Sequence, residues 1–183
     1  VDSFSVSSQA SAPSGLAFNA DGTKMYVSDD GNNNVSQYAL TTGFDVSTSS
    51  FTQSFSVNSQ DTQATGVAFN SDGSKMFVAG RTNSSVFEYA LSSGFDISSA
   101  LYTQAFSVSS QEGSLQDLAF NTDGTKLFIC GQGSNKINEY ALTTGFDVST
   151  ASFTQGFSVS DEESQVTGLT FNNDGTAVFI VGE

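Results

Sequence analysis

Apolar and polar positions along this chain recur at one fixed spacing. Residues 66–78 (Gly-Val-Ala-Phe-Asn-Ser-Asp-Gly-Ser-Lys-Met-Phe-Val) have counterparts at 15–27, 117–129 and 168–180, and Phe18, Phe69, Phe120 and Phe171 stand 51 residues apart. A constant period of this length is the mark of a repeat architecture. Within each repeat the pattern predicts four strands. The first, at 15–19, sets Leu16 and Phe18 on one side and the small Gly15 and Ala17 on the other, which suits a crowded inner edge. Asn-x-Asp-Gly follows in every copy, a strong hairpin signal, since Gly tolerates positive φ and Asp bonds its own backbone. The second strand, 24–27, is apolar on both faces and is expected to be buried on both. The third, 35–40, carries Tyr38, repeated as Tyr89 and Tyr140. A connection at 41–47 places Phe44 and Val46 inside a loop, where they are expected to tuck under the sheet edge, with Asp45 between them capping a turn. The fourth strand, 51–57, alternates Phe51, Phe55 and Val57 with Thr52, Ser54 and Ser56, so one of its faces is wet and it belongs at the outside.

Four antiparallel strands per repeat, small at the inner edge and amphipathic at the outer, describe a β-propeller blade. The expected fold is all-β: residues 2–6 an outer strand, 15–57, 66–108 and 117–159 three blades, and 168–183 the first two strands of a fourth. Helical repeats would show a 3.6-residue period, which is absent. Propellers close at about 4 to 8 blades, so this chain is expected to be incomplete as a single-chain ring. Its expected partners are further blades of a longer chain or other copies of itself.

The run 15–29 (Gly-Leu-Ala-Phe-Asn-Ala-Asp-Gly-Thr-Lys-Met-Tyr-Val-Ser-Asp), with 35–40 and Thr41-Thr-Gly43 behind it, resembles the YVTN-type propeller repeat, a group related to NHL and lactonase-like propellers. The likeness extends over nearly the whole chain. It implies the fold, and it implies a range of roles: surface-layer proteins, secreted binding proteins and, more distantly, enzymes. The longer connection at 43–50 is similar to that of repeat propellers in marine phage and bacterial surface proteins.

Composition narrows the chemistry. The net charge is −14, from 19 acids against five bases. Such a field repels phosphate backbones and anionic membranes, so nucleic-acid binding is excluded as an expectation. No apolar run approaches membrane-spanning length, so no membrane insertion is expected. Histidine, the commonest general base and metal ligand, is absent. The single cysteine, Cys130, takes the place held elsewhere by Ser28, Ala79 and Val181, and is read as a small buried filler.

The Asn-x-Asp-Gly turns and Gly-Phe-Asp loops barely change between repeats and would share one face of a disc. The loops at 28–34, 79–85 and 130–136, and those between blades at 58–63, 109–114 and 160–165, change freely and would share the other. Drift alone would also produce this variability. The candidate ligand-binding residues are drawn from these loops: Asp29, Asp30, Asn32, Asn33, Asp61, Arg81, Asn83, Glu112, Gln132, Asn135, Asp161 and Glu162. Amides and carboxylates without a strong cationic fork suit hydroxyl-rich ligands such as a glycan or another surface polymer. Asn19-x-Asp21-Gly22 lacks the ligand count and distal Glu of a calcium loop, so no cofactor is expected beyond weak Ca2+ at the acidic loops. On the channel side, Asp117 alone breaks the series Gly15, Gly66, Gly168. It is compatible with a strand-edge residue at the channel mouth or with an active group.

With no nucleophile elbow and no Cys–His pair, these readings lead to the expectation of a non-catalytic scaffold and recognition module, not an enzyme, on a cell surface, a virion or outside the cell. The rival expectation is a metal-assisted, lactonase-like propeller hydrolase. A further one is an excised or designed fragment that assembles into a ring.

Overall fold

The computed structural model describes residues 2–183. Three four-stranded antiparallel sheets and one two-stranded sheet follow one another. The first holds β1 (Pro13–Phe18), β2 (Lys24–Asp29), β3 (Asn34–Leu40) and β4 (Ser49–Ser56). The second holds β5 (Ala64–Phe69), β6 (Lys75–Gly80), β7 (Ser85–Leu91) and β8 (Ala100–Ser107), and the third β9 (Leu115–Phe120), β10 (Lys126–Gly131), β11 (Lys136–Leu142) and β12 (Ala151–Ser158). The last pairs β13 (Val166–Phe171) with β14 (Val178–Gly182). Strand order within each sheet is sequential, and the inner strands β1, β5, β9 and β13 each contact the next. These are propeller blades, and they do not close a ring in this chain.

The core lies between blades, because each sheet buries its apolar face on its neighbour. One layer gathers Tyr26 and Val35 from the first blade with Val67, Met76, Val78 and Tyr89 from the second. The next repeats it with Phe77, Val86, Leu118, Leu127, Ile129 and Tyr140. Aromatic contacts recur with the period: Phe55 meets Tyr89, and Phe106 meets Tyr140, edge-on at 5.5 Å. Phe4 meets Tyr38 in the same way at 5.6 Å. Residues 2–6 nevertheless belong to no sheet, in contrast to the strand expected there. Phe4 and Val6 hold their place through side-chain packing on the first blade.

The Asn-x-Asp-Gly turn forms as its residue types require. Asn19 Oδ1 accepts from Lys24 N–H at 2.8 Å, and Asp21 Oδ1 accepts from Thr23 N–H and its hydroxyl at 3.0 and 2.6 Å. These bonds favour the ionised form and hold the Asp21 carboxyl below the usual range, as equivalent bonds do for Asp72, Asp123 and Asp174. Gly22 takes φ +70°, and a Cβ there would lie 2.4 Å from the Phe44 ring. That ring belongs to the Gly-Phe-Asp loop, which therefore shares a face with the turn; Phe44 N–H donates to Gly22 O at 3.0 Å.

Phe44, Phe95 and Phe146 all adopt positive φ, 57° to 62°, a conformation uncommon for a bulky residue. It lays each ring over its own blade's turn while freeing its carbonyl for the preceding blade. Tyr26 Oη and Lys24 Nζ donate to Phe95 O at 2.6 and 3.0 Å, and Lys75 Nζ donates to Phe146 O at 2.6 Å. Asp45, Asp96 and Asp147 cap the short 3-10 turns that follow, each accepting from a backbone N–H two residues on. Ile97 and Val148 are fully buried in the blade interfaces, as the loop pattern predicts. Phe44 is instead 61% exposed, since no preceding blade covers it here.

Candidate functional site

On the face of the variable loops, each blade's second strand ends against the segment that enters the blade from its neighbour. One buried carboxylate holds each of the first three junctions. Asp61 accepts from the N–H groups of Gln63, Thr82 and Asn83 at 2.8, 3.2 and 2.8 Å. Glu112 accepts from Ser114, Gly133 and Ser134 N–H at 2.8, 2.8 and 3.0 Å, and from the Ser134 hydroxyl at 2.6 Å. In the first blade the acid comes from the other partner. Asp29, at the end of β2, accepts from Ser11, Ala12 and Gly31 N–H at 3.1, 2.8 and 3.0 Å. The exchange is reciprocal: Ala10 stands where Asp61 and Glu112 stand, and Gly80 and Gly131 stand where Asp29 stands. A Cβ on Gly80 would lie 2.5 Å from Asp61 Oδ2, and one on Gly131 would lie 2.7 Å from the Glu112 carboxyl carbon. One acid fits each junction and two do not.

Three of the residues expected to bind ligand, Asp29, Asp61 and Glu112, thus spend their carboxylates on backbone N–H groups. Asn32 and Asn83 do equivalent work, their amides donating to Gln9 O and Gln60 O at 3.1 and 2.7 Å. Asn33 and Asn135 occupy left-handed positions, φ 54° and 50°, which Asn tolerates better than most residues. Asp30 and Arg81 hold the same place in successive blades and meet as an ion pair at 2.5 Å. Gln132, next in that series, accepts from Gln116 Nε2 at 3.1 Å. Asp161 and Glu162 are exposed. Among the described residues, no group of three or more His, Cys, Asp or Glu side chains is placed to hold a metal ion.

The inner strands form the channel wall. Gly15, Gly66, Asp117 and Gly168 occupy equivalent places on it, and Asp117 is the one ionisable residue in β1, β5, β9 and β13. Its neighbours explain why glycine dominates: a Cβ on Gly66 would lie 2.6 Å from Asp117 Oδ1, and one on Gly15 would lie 3.0 Å from the Gly66 Cα. Asp117 Oδ1 accepts from Leu118 N–H at 2.8 Å and Oδ2 from Leu169 N–H of the next blade at 3.1 Å. Burial raises its carboxyl to about 6, and the two backbone donors only partly offset that effect. The carboxylate lines a cavity of about 330 Å3 with Gly15, Leu16, Thr167, Gly168 and Thr170. It also borders a neighbouring cavity of about 450 Å3 against β5. Cys130 of β10 pairs directly with Asp117 of β9, fully buried, its thiol pushed up by burial and by Asp117 and Glu112.

Residues 3–146 match the family described as Lactonase, 7-bladed beta-propeller. The chain belongs to that lactonase-type propeller family. Among solved structures it resembles a proposed 6-phosphogluconolactonase of Bacteroides uniformis, with TM-score 0.65 and 11% identity over 92% of this chain and 46% of that one. It also resembles the periplasmic gluconolactonase of Pseudomonas aeruginosa, with TM-score 0.55 and 18% identity over 79% and 38%. The hydrazine synthase of Kuenenia stuttgartiensis matches as well, with TM-score 0.63 and 16% identity over 98% and 43%. At these identities the structural likenesses establish the fold, and the chain spans under half the length of each. No curated protein matches. The family match corrects two expectations drawn from the sequence: the non-catalytic scaffold and recognition module, and the absence of enzymatic activity. Describing the chain as a structural protein or a binding module is corrected with them. The missing histidine and nucleophile elbow had carried those expectations. They exclude particular catalytic constellations but do not bear on one built around a channel carboxylate.

Proposed function

We propose that this chain forms part of a propeller enzyme that hydrolyses a lactone, the internal ester of a sugar acid. The observation carrying the reading is the family match over residues 3–146, most of the chain. The channel wall is in keeping with it. Its inner strands leave small-residue space for a ligand ring, and polar groups converge at its edge, as binding cavities require. Within the family we further propose that the repeats are of the YVTN type, on the strength of the run at 15–29 and its copies. The ring would be completed by further blades, consistent with a seven-bladed family.

A pH-stat assay of the intact ring on δ-gluconolactone and on its 6-phosphate tests the reading. Acid release well above the spontaneous rate, saturating with substrate, is the expected result. A rate equal to buffer alone on both lactones would refute it.

A further inference from the structure

We propose that Asp117 is the general base of this reaction, an assignment that rests on the lactone reading above. Position 117 belongs to the repeated channel series, where the other three blades carry glycine. A side chain is accommodated there because the places on either side, Gly66 and Gly168, have none. The Cβ contacts of 2.6 and 3.6 Å to the Asp117 oxygens show how closely the flanking blades approach.

A purely structural account of Asp117 explains part of its environment. In the first two blades a hydroxyl one residue earlier bridges to the next inner strand: Ser14 Oγ donates to Ala64 O at 2.8 Å, and Thr65 Oγ1 donates to Leu115 O at 3.2 Å. The third blade has Gln116 at this place, turned to Gln132, and Asp117 supplies the interblade bond through Leu169 N–H. A neutral acceptor would serve that bond equally well. An ionisable group is the costlier solution, because burial disfavours its charged form. Each carboxylate oxygen also accepts only one backbone donor, although it has lone pairs for two. The remaining acceptor capacity borders the cavity of about 330 Å3. Cys130, which faces Asp117 in the β9–β10 pair, stays a neutral thiol and does not compete for the proton.

The step balances with water and lactone alone. The Asp117 carboxylate takes a proton from a water molecule as its oxygen attacks the lactone carbonyl carbon. The tetrahedral intermediate then expels the ring oxygen, breaking the acyl C–O bond. The proton returns from Asp117 to that oxygen as it leaves. The product is the open hydroxy acid, and the enzyme is unchanged. A carboxylic acid titrating near 6 loses its proton just below neutral pH, where a general base is most effective.

Two substitutions test the assignment in the intact ring. Asp117→Gly restores the residue of the other three blades, so the fold should tolerate it. Asp117→Asn removes the base but keeps one of the two acceptor oxygens, enough to hold the interblade bond from Leu169 N–H while the contact to Leu118 N–H is given up. Both are expected to lower kcat by about 100-fold or more, within the range for a lost general base. KM should change by less than about threefold if substrate contacts survive. The acidic limb of the pH–rate profile, with its midpoint near 6 in the unaltered enzyme, should vanish. Either variant retaining more than a tenth of kcat with that limb intact would overturn the assignment while leaving the lactone reading standing. An unaltered ring inactive on lactones would overturn both.

Discussion

The exchange of acids at the blade junctions can be turned into an experiment. Replacing Asp29 with Gly removes the acceptor for Ser11, Ala12 and Gly31 N–H. Asp29 is fully buried, and an unsatisfied buried donor costs roughly 1–3 kcal/mol. Ser11, Ala12 and Gly31 are themselves exposed loop residues, so water takes over part of the lost bonding and we expect a loss of about 3 kcal/mol in total. Ala10→Asp alone would crowd a second carboxylate against Asp29 in a buried site, at a cost of several kcal/mol. The double variant Ala10→Asp/Asp29→Gly instead recreates the junction of the second blade. There an acid on the entering segment reaches Gln63, Thr82 and Asn83 N–H across Gly80. Two of those donors match Ala12 and Gly31 by repeat position. It should recover to within about 1 kcal/mol of the parent, so the two changes couple by more than about 2 kcal/mol. Urea unfolding followed by tyrosine fluorescence measures this, with a constant m-value as the check that only stability has changed. Additivity of the two losses within about 0.5 kcal/mol would refute the claim that the two sites share one acid.

Three further outcomes follow from the same geometry. Glu88, nearly buried, pairs with Lys75 Nζ at 2.7 Å and accepts from Gln104 Nε2 and Val148 N–H at 2.8 and 3.1 Å. Glu88→Ala should cost about 3 kcal/mol in urea unfolding, whereas Glu88→Gln, which matches Gln37 of the first blade, should cost about 1 kcal/mol; equal losses would contradict this. Gly73→Ala forces an L-residue to φ +71° and a Cβ to 2.2 Å from the Phe95 ring, so the melting temperature should fall by several degrees, equivalent to more than about 1 kcal/mol. Asp117→Asn should raise stability at pH 7.5 by about 2 kcal/mol, because a folded carboxyl near 6 lies above its ordinary 3.8 and its charged form opposes folding. The sign follows from that order: the parent is relatively stabilised below pH 4 and loses that contribution as pH rises through 6, so the two stability curves should converge in acid.

The period made the blades legible in the sequence. Alternation at 51–57 marked the outer strand, double-sided apolarity at 24–27 marked the buried one, and Asp-Gly placed the hairpins. Asp45 as a turn cap followed from its residue type alone. Other features depend on neighbours between 17 and 71 residues away and have no local signal. The left-handed Phe44, Phe95 and Phe146 are set by the glycine beneath each ring, and for Phe95 and Phe146 also by the donor on the preceding blade. The roles of Asp29, Asp61 and Glu112 looked like ligand chemistry because an acid in a variable loop suggests exposure. The signal for their part in the junctions was the pairing of each acid with a glycine or alanine at the facing repeat position. Asp117 was visible as a break in a glycine series, but its depth and raised proton affinity come only from the packing of β9 between β5 and β13.

The most direct test of a channel carboxylate at the reactive centre is to observe it. In the intact ring, the side-chain carboxyl carbon of Asp117, assigned with the Asp117→Asn variant, can be followed by carbon NMR against pH. Adding an uncleavable lactam analogue of gluconolactone then probes contact with ligand. The expected result is a midpoint near 6 that moves when the lactam binds. A midpoint at the ordinary 3.8, indifferent to the lactam, would contradict it.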